Sequence, residues 1–335
     1  MTGEGQTVGT GMGPSEAVPF EAARPPSRLD RILFTPALAD WVLSAYFCTV
    51  IIGLSRARPS PDRNAYLAMV ASLAVVYLTG VFLYRRYEAR VGRDAVPYAA
   101  RLAYHIWPMA GVLCLYFNLR PILPIINGAS YDAALYRLDL AVFGLEPTLA
   151  IERLTSARVV EWFAFFYYSY FVVIASYIFV MIFTCASDER LASFATGILI
   201  IVGIGHYVYT LVPGVGPYAY LGHEYGGPLE GGPFYYMVLD TVSKAGPMRD
   251  IFPSLHTALP TFLSLYAWKH YPRFALPTTF FTANIILATV VLRWHYAVDV
   301  LAGLLLAVSA FILAPRLVDA YQSRREHVGL MLRRW

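Results

Sequence analysis

The chain is poor in charge: 14% of its 335 residues are Asp, Glu, Lys or Arg, while 58% are hydrophobic. Soluble domains carry about 25% charged residues, so this shortage excludes an ordinary soluble globule and places the chain in a membrane. Cysteine is scarce too. Cys48, Cys114 and Cys185 each fall inside an apolar run with no CxxC pair, which argues against a disulfide framework and against a thiolate metal site. A charged-then-apolar leader is missing from the N-terminus, so no cleaved signal peptide is expected. The stretch Gly9 to Pro14, GTGMGP, lacks the strand and helix that a phosphate-cradling loop requires and reads as tail. The net charge of +4 lies in loops and tails rather than on a basic face interleaved with aromatics, which speaks against a nucleic-acid partner. No internal repeat supports an inverted-repeat transporter.

What is present is a series of long apolar runs separated by short arginine-bearing stretches. The pattern predicts an all-α polytopic membrane protein with about eight transmembrane helices, near 37–55, 65–84, 98–118, 160–185, 190–212, 254–269, 273–292 and 295–315. The sixth is short: about 16 residues reach only about 24 Å. The expected organisation is a flexible tail over 1–36, a two-helix membrane unit over 37–97, a six-helix core over 98–316 and a basic tail over 317–335. The RRYEAR cluster from Arg85 to Arg90 and the C-terminal arginines favour a topology with both termini cytoplasmic. Two long connections then lie on the other side. In the first, Leu135, Leu138, Val142 and Leu145 recur at helical spacing and predict an interfacial helix near 131–146. The second, 213–253, is rich in Gly, Pro and Tyr and reads as a turn-rich cap loop.

Chemistry concentrates in two segments. His295 and Asp299, four residues apart, point from one helix face, so the carboxylate can hold one ring nitrogen and leave the other free. An Asp in an apolar helix is costly without a partner, which marks it as functional. His256 follows Pro253 and Ser254, residues suited to a helix start, where free amides and the positive dipole end favour phosphate. Because the sixth and seventh spans form an antiparallel pair, His256 and His295 fall on the same side of the membrane. That side also offers the cations Arg293, Arg120, Lys244 and Arg249, each of which competes with a role as interfacial anchor. His105, His206 and His270 are expected to pack or bridge helices, and His223 stays open.

These residues resemble the type 2 phosphatidic acid phosphatase superfamily, and more closely its branch of inositol phosphorylceramide and sphingomyelin synthases. The PSLH of Pro253 to His256 is similar to that superfamily's PSGH-type motif, and HYAVD, from His295 to Asp299, resembles the synthase motif with Arg293 two residues ahead. LDLAVFG from Leu138 and VPGVGPY from Val212 resemble segments of bacterial relatives of the fungal enzyme. The resemblance covers about residues 99 to 315 and implies a six-helix catalytic core in a bacterial cell membrane, with the site on the non-cytoplasmic face. It implies His295 as nucleophile, Asp299 as its orienting carboxylate, His256 as acid toward the leaving alkoxide and Ser254 as a phosphate ligand. The chain departs from the phosphatase pattern at Thr289 and Leu113, where an arginine and a lysine would stand, which favours the transferase branch. The expected partners are a phospholipid donor and a lipid hydroxyl acceptor. A histidine nucleophile requires no metal or other cofactor. The rivals are a lipid phosphate or polyprenyl pyrophosphate phosphatase with the same triad, and a non-enzymatic transporter.

Overall fold

The computed structural model describes residues 27–185, 187–245, 248–330, 332 and 335, and these contain helices but no strand. The helices are α1 (Arg28–Phe34), α2 (Leu38–Arg56), α3 (Pro61–Val91), α4 (Tyr98–Ile126), α5 (Asp132–Phe143), α6 (Pro147–Ala150), α7 (Ala157–Thr184), α8 (Asp188–Leu211), α9 (Pro217–Tyr220), α10 (Pro233–Lys244), α11 (Leu255–His270), α12 (Pro272–Val291) and α13 (Ala297–His327). Seven of them, α2, α3, α4, α7, α8, α12 and α13, are long and apolar enough to cross a membrane. The protein is thus an all-α integral membrane protein. The sixth expected span is α11, 16 residues long and buried along most of its length among α8, α12 and α13.

Boundaries follow local chemistry. Ser60 accepts from the Arg63 amide at 3.1 Å and Pro61 opens α3, while Ser187 accepts from Arg190 at the start of α8. Three spans run further than their apolar patterns. The second continues to Val91, and the third passes Pro121 and Pro124 to Ile126, so Arg120 sits inside α4 instead of following it. The last extends to His327, turning much of the expected basic tail into helix. Of the expected N-terminal tail, 1–26 lie outside the described residues, and Arg28–Phe34 form α1, capped by Ser27. The cap loop is also less irregular than its composition indicates, because Pro233 opens the 12-residue helix α10.

Two features set the packing around the chemistry-bearing segments. Gly303 lets α13 lie directly against the start of α11: a Cβ there would run into the Ser254 carbonyl. The Ser254 amide in turn donates to the Asp299 carbonyl at 3.0 Å, tying the two helix starts together. At the opposite end, α2 and α3 are joined to the core by a buried polar network. Asp40 of α2 accepts from Tyr77 of α3 at 2.7 Å and from Tyr104 of α4, and Arg85 bonds Tyr104 at 2.9 Å and Glu88 at 2.8 Å. Arg85, Glu88 and Asp40 are all essentially sealed from solvent. Removing one partner of a buried charge pair costs about 3–5 kcal/mol. Arg85→Ala is therefore expected to lower the melting temperature of the detergent-solubilised protein clearly, and an unchanged melting temperature would show the network to be dispensable.

Candidate active site

The histidines meet at one end of the bundle. His256 lies in the first turn of α11, and His295 immediately precedes α13, with ring centroids 6.0 Å apart. With their centroids 6.0 Å apart, the two imidazoles face one shared space at this end of the bundle. Asp299 Oδ2 is 3.3 Å from His295 Nδ1, which assigns the proton to Nδ1 and leaves Nε2 with its lone pair. The same oxygen accepts from the Tyr296 amide at 2.9 Å, so Asp299 both orients the imidazole and caps its own helix. Its Oδ1 has no partner among the described residues.

His256 is half-buried between aromatic rings. Tyr167 stacks on it at 4.4 Å and 11°, and Tyr170 approaches to 4.1 Å. These two tyrosines of α7 fix the plane of the ring, a role that no spacing in the sequence distinguishes from ordinary aromatic packing. Ser254 occupies the N-cap position of α11 but makes no capping bond there; its Oγ accepts instead from Thr257 Oγ1 at 3.2 Å. The Thr257 amide donates to the Ser254 carbonyl at 3.2 Å and the Leu255 amide to the Tyr209 hydroxyl, so at this helix start the His256 amide is the one that an anion would meet.

The four candidate cations fare differently. Arg293, expected to face the phosphate, is turned into the surrounding loops. Its guanidinium bonds Glu152 at 3.0 Å and the Gly227 carbonyl at 3.0 Å and lies 3.7 Å above the Tyr225 ring. Its backbone adopts φ +65°, a left-handed conformation that side-chain-bearing residues rarely take. This turn closes α12 and lets the amides of Trp294 and His295 both donate to the Thr289 carbonyl, at 2.9 and 3.1 Å. Thr289 thus supports His295 through its backbone. Tyr225 is pushed up to about 12 by burial, so a neutral phenol lies beneath Arg293. Lys244 pairs with Asp240 on the exposed side of α10, and Arg249 bonds the Ala129 carbonyl at 3.1 Å. Arg120 pairs with Asp250 at 3.0 Å and is the one of the four whose charge acts on His256.

Two carboxylates of α5 were not singled out by sequence. Asp139 accepts the amides of Ala297 and Val298, each at 2.8 Å, and so clamps the first turn of α13 beside His295. Burial raises its carboxyl, while the two amides act in the opposite direction. Asp132 accepts from Val215 and Gly216 at 2.9 Å and from the Tyr296 hydroxyl at 3.2 Å. Gly216 itself has φ +83° and passes so close to the Trp294 carbonyl that a Cβ would come within 2.6 Å. The buried face of α5 is therefore Asp132, Leu135 and Asp139, while Leu138, Val142 and Leu145 point outward. Apolar periodicity located this helix but not which face turns inward. The cost of burying two carboxylates was the available signal.

The remaining histidines are engaged by other partners. His206 Nδ1 bonds Tyr46 of α2 at 2.6 Å, bridging helices as expected, and His223 is exposed beside Glu224. His105 and His270 pack against Trp335 and Tyr266.

Asp139→Ala strands two amides next to His295, at about 1–3 kcal/mol for each group left buried and unpaired. Turnover is expected to fall about a hundredfold from the resulting displacement of the imidazole, with the melting temperature lowered as well. Full turnover in the variant would remove Asp139 from the positioning of His295.

No curated protein and no solved structure matches the chain. A family model described as the PAP2 superfamily matches residues 133–313, more than half of the sequence, and the match contains all of α5 but Asp132, together with His256, His295 and Asp299. With that match over the segments that converge here, the chain belongs to the PAP2 superfamily, whose membership supports a lipid phosphatase or phosphotransferase type of function.

Proposed function

We propose that the protein is a membrane lipid phosphotransferase of the kind formed by the inositol phosphorylceramide and sphingomyelin synthases, moving a phospho-headgroup such as phosphoinositol between lipids. The observation that carries this reading is the pair of rings 6.0 Å apart, one of them held through Nδ1 by a buried carboxylate. His295 Nε2 attacks phosphorus, the bond from phosphorus to the lipid oxygen breaks, and protonated His256 gives its proton to the departing alkoxide. The headgroup then resides on His295 as a phosphohistidine. In the second half, neutral His256 takes the proton from a lipid hydroxyl, whose oxygen bonds phosphorus as the bond to Nε2 breaks. Each enzyme group returns to its starting state.

The phosphate is held, on this reading, by the His256 amide at the start of α11, by Ser254 and by Arg120. Arg293 contributes by shaping the turn. The reading of a transferase is favoured over a phosphatase by Thr289 and Leu113, which replace the basic residues of the phosphatase pattern, and by the enclosure of His295, only 2% exposed. Water has poor access to a phosphohistidine so enclosed. The site lies at the end of the bundle opposite Arg85, Arg101, Arg190 and Arg325, which supports placing it on the non-cytoplasmic face.

Purified protein is to be incubated with headgroup-labelled phospholipids and ceramide or diacylglycerol acceptors, and the lipids separated. Label is expected to move to the acceptor with wild-type protein and to stay on the donor with His295→Ala. Release of water-soluble phosphate without transfer would select the phosphatase reading, and equal activity of the two proteins would refute the nucleophile.

A further inference from the structure

A cleft of about 520 Å³ runs between α4 and α7. Leu113 and Phe117 form one wall, Phe171, Phe179 and Phe183 the other, with Leu259 of α11 behind them. Its lining is apolar except for Tyr116, Tyr170 and His206 at the end next to the histidine pair. That end adjoins the site: Tyr170 and Phe171 line the cleft and also pack beside the His256 ring, with centroids at 4.1 and 6.5 Å. From Tyr170 to Phe183 the cleft follows α7 for about 20 Å, at about 1.5 Å per residue, or about two thirds of a hydrocarbon core. Its rim is open to the side, with Phe117 and Phe179 well exposed on the face that lipid would cover.

The cleft stands open because α4 is held from behind. The Trp107 indole donates to the Tyr77 carbonyl of α3 at 3.1 Å, Tyr104 stacks on Tyr84 at 4.2 Å, and Tyr104 also bonds Asp40 and Arg85. The rear wall is fixed by the same unit, through the bond from Tyr46 of α2 to His206. Across the cleft, α4 meets α7 at the Tyr116 and Phe171 rings, 6.2 Å apart. That is an edge-to-face ring contact, so the two helices touch there and the cleft beside it is too narrow for a further helix, about 10–12 Å wide with its side chains, while its volume of about 520 Å³ accommodates a hydrocarbon chain.

We propose that the cleft holds the hydrocarbon chain of the lipid whose oxygen is joined to or released from phosphorus beside His256, and that the α2–α3 unit keeps the cleft open. The proposal rests on the phosphotransfer reading and adds where the lipid sits. Since His256 serves the leaving alkoxide and the incoming hydroxyl alike, donor and acceptor chains occupy the cleft in turn, and excess acceptor competes with donor.

Ala175 faces the middle of the cleft, away from both histidines. Ala175→Phe narrows it at mid-length. The test compares dihexanoyl and dioleoyl forms of the phospholipid that the wild-type protein turns over. For the variant, kcat/KM on the dioleoyl form is expected to fall at least about tenfold, with the dihexanoyl form unchanged. Met109→Trp, on the α4 wall, repeats the test should Ala175→Phe fail to fold. In parallel, a dioleoyl-length phospholipid carrying a diazirine at mid-chain is photolysed with wild type, His295→Ala and Ala175→Phe. Labelling is expected on α4 and α7 in the first two proteins and to be lost in the third. Unchanged dioleoyl turnover in both narrowed variants, or label spread equally onto the lipid-facing Val75 and Val76 of α3, would overturn the proposal. Labelling of the cleft without turnover of any lipid would support the cleft and count against the phosphotransfer reading instead.

Discussion

The rest of the site depends on how the first turn of α13 is held. Its leading amides, at Ala297 and Val298, are taken by Asp139 from α5, and the amide of Tyr296 is taken by Asp299 from within the helix. A helix start has free donors that have to be satisfied when buried. Here two carboxylates satisfy them, and the consequence is a fixed position for His295. Asp299 can face Nδ1 because its other bond, to the backbone, has already set its rotamer. The start of α11, by contrast, carries no acidic cap, and in the proposed reaction that difference between two neighbouring helix starts would separate the nucleophile's mount from the phosphate's seat.

Around this turn the charged groups divide between framework and substrate. Arg293 is neutralised by Glu152 and braced on Tyr225, so its removal would loosen the cap loops rather than uncover a phosphate ligand. Asp132, Leu135 and Asp139 of α5 face inward while Leu138 and Val142 face outward, so this helix joins the surface of the bundle to the turn that carries His295. Seen this way, the outward Leu138, Val142 and Leu145 make the environment of α5 part of what keeps His295 in place.

Much of the fold was legible because a bilayer imposes a simple code. Apolar runs bounded by arginines placed all eight bundle helices, including the short α11, and the antiparallel pairing of α11 with α12 was enough to bring His256 and His295 to one end. Where boundaries slipped, as at Arg120 within α4 and beyond Pro315 in α13, the helix continued through residues that read as breakers or as tail. Long-range polar choices were not legible. Nothing local tells that Arg293 will pair with Glu152, 141 residues earlier, or that Asp139 will find the amides of Ala297 and Val298. The aromatic mount of His256 was hidden for a simpler reason: Tyr167 and Tyr170 stand in an α7 crowded with other rings.

The central claim is that phosphorus becomes bonded to His295. Its most direct measurement is mass spectrometry of protein quenched during turnover of a phospholipid, under alkaline conditions that preserve phosphohistidine. The account predicts a mass increase of the phospho-headgroup on the peptide bearing His295, retained when His256→Ala blocks the second half-reaction after a slow first one, and absent from His295→Ala. A modification on His256, or turnover with neither histidine ever modified, would contradict it.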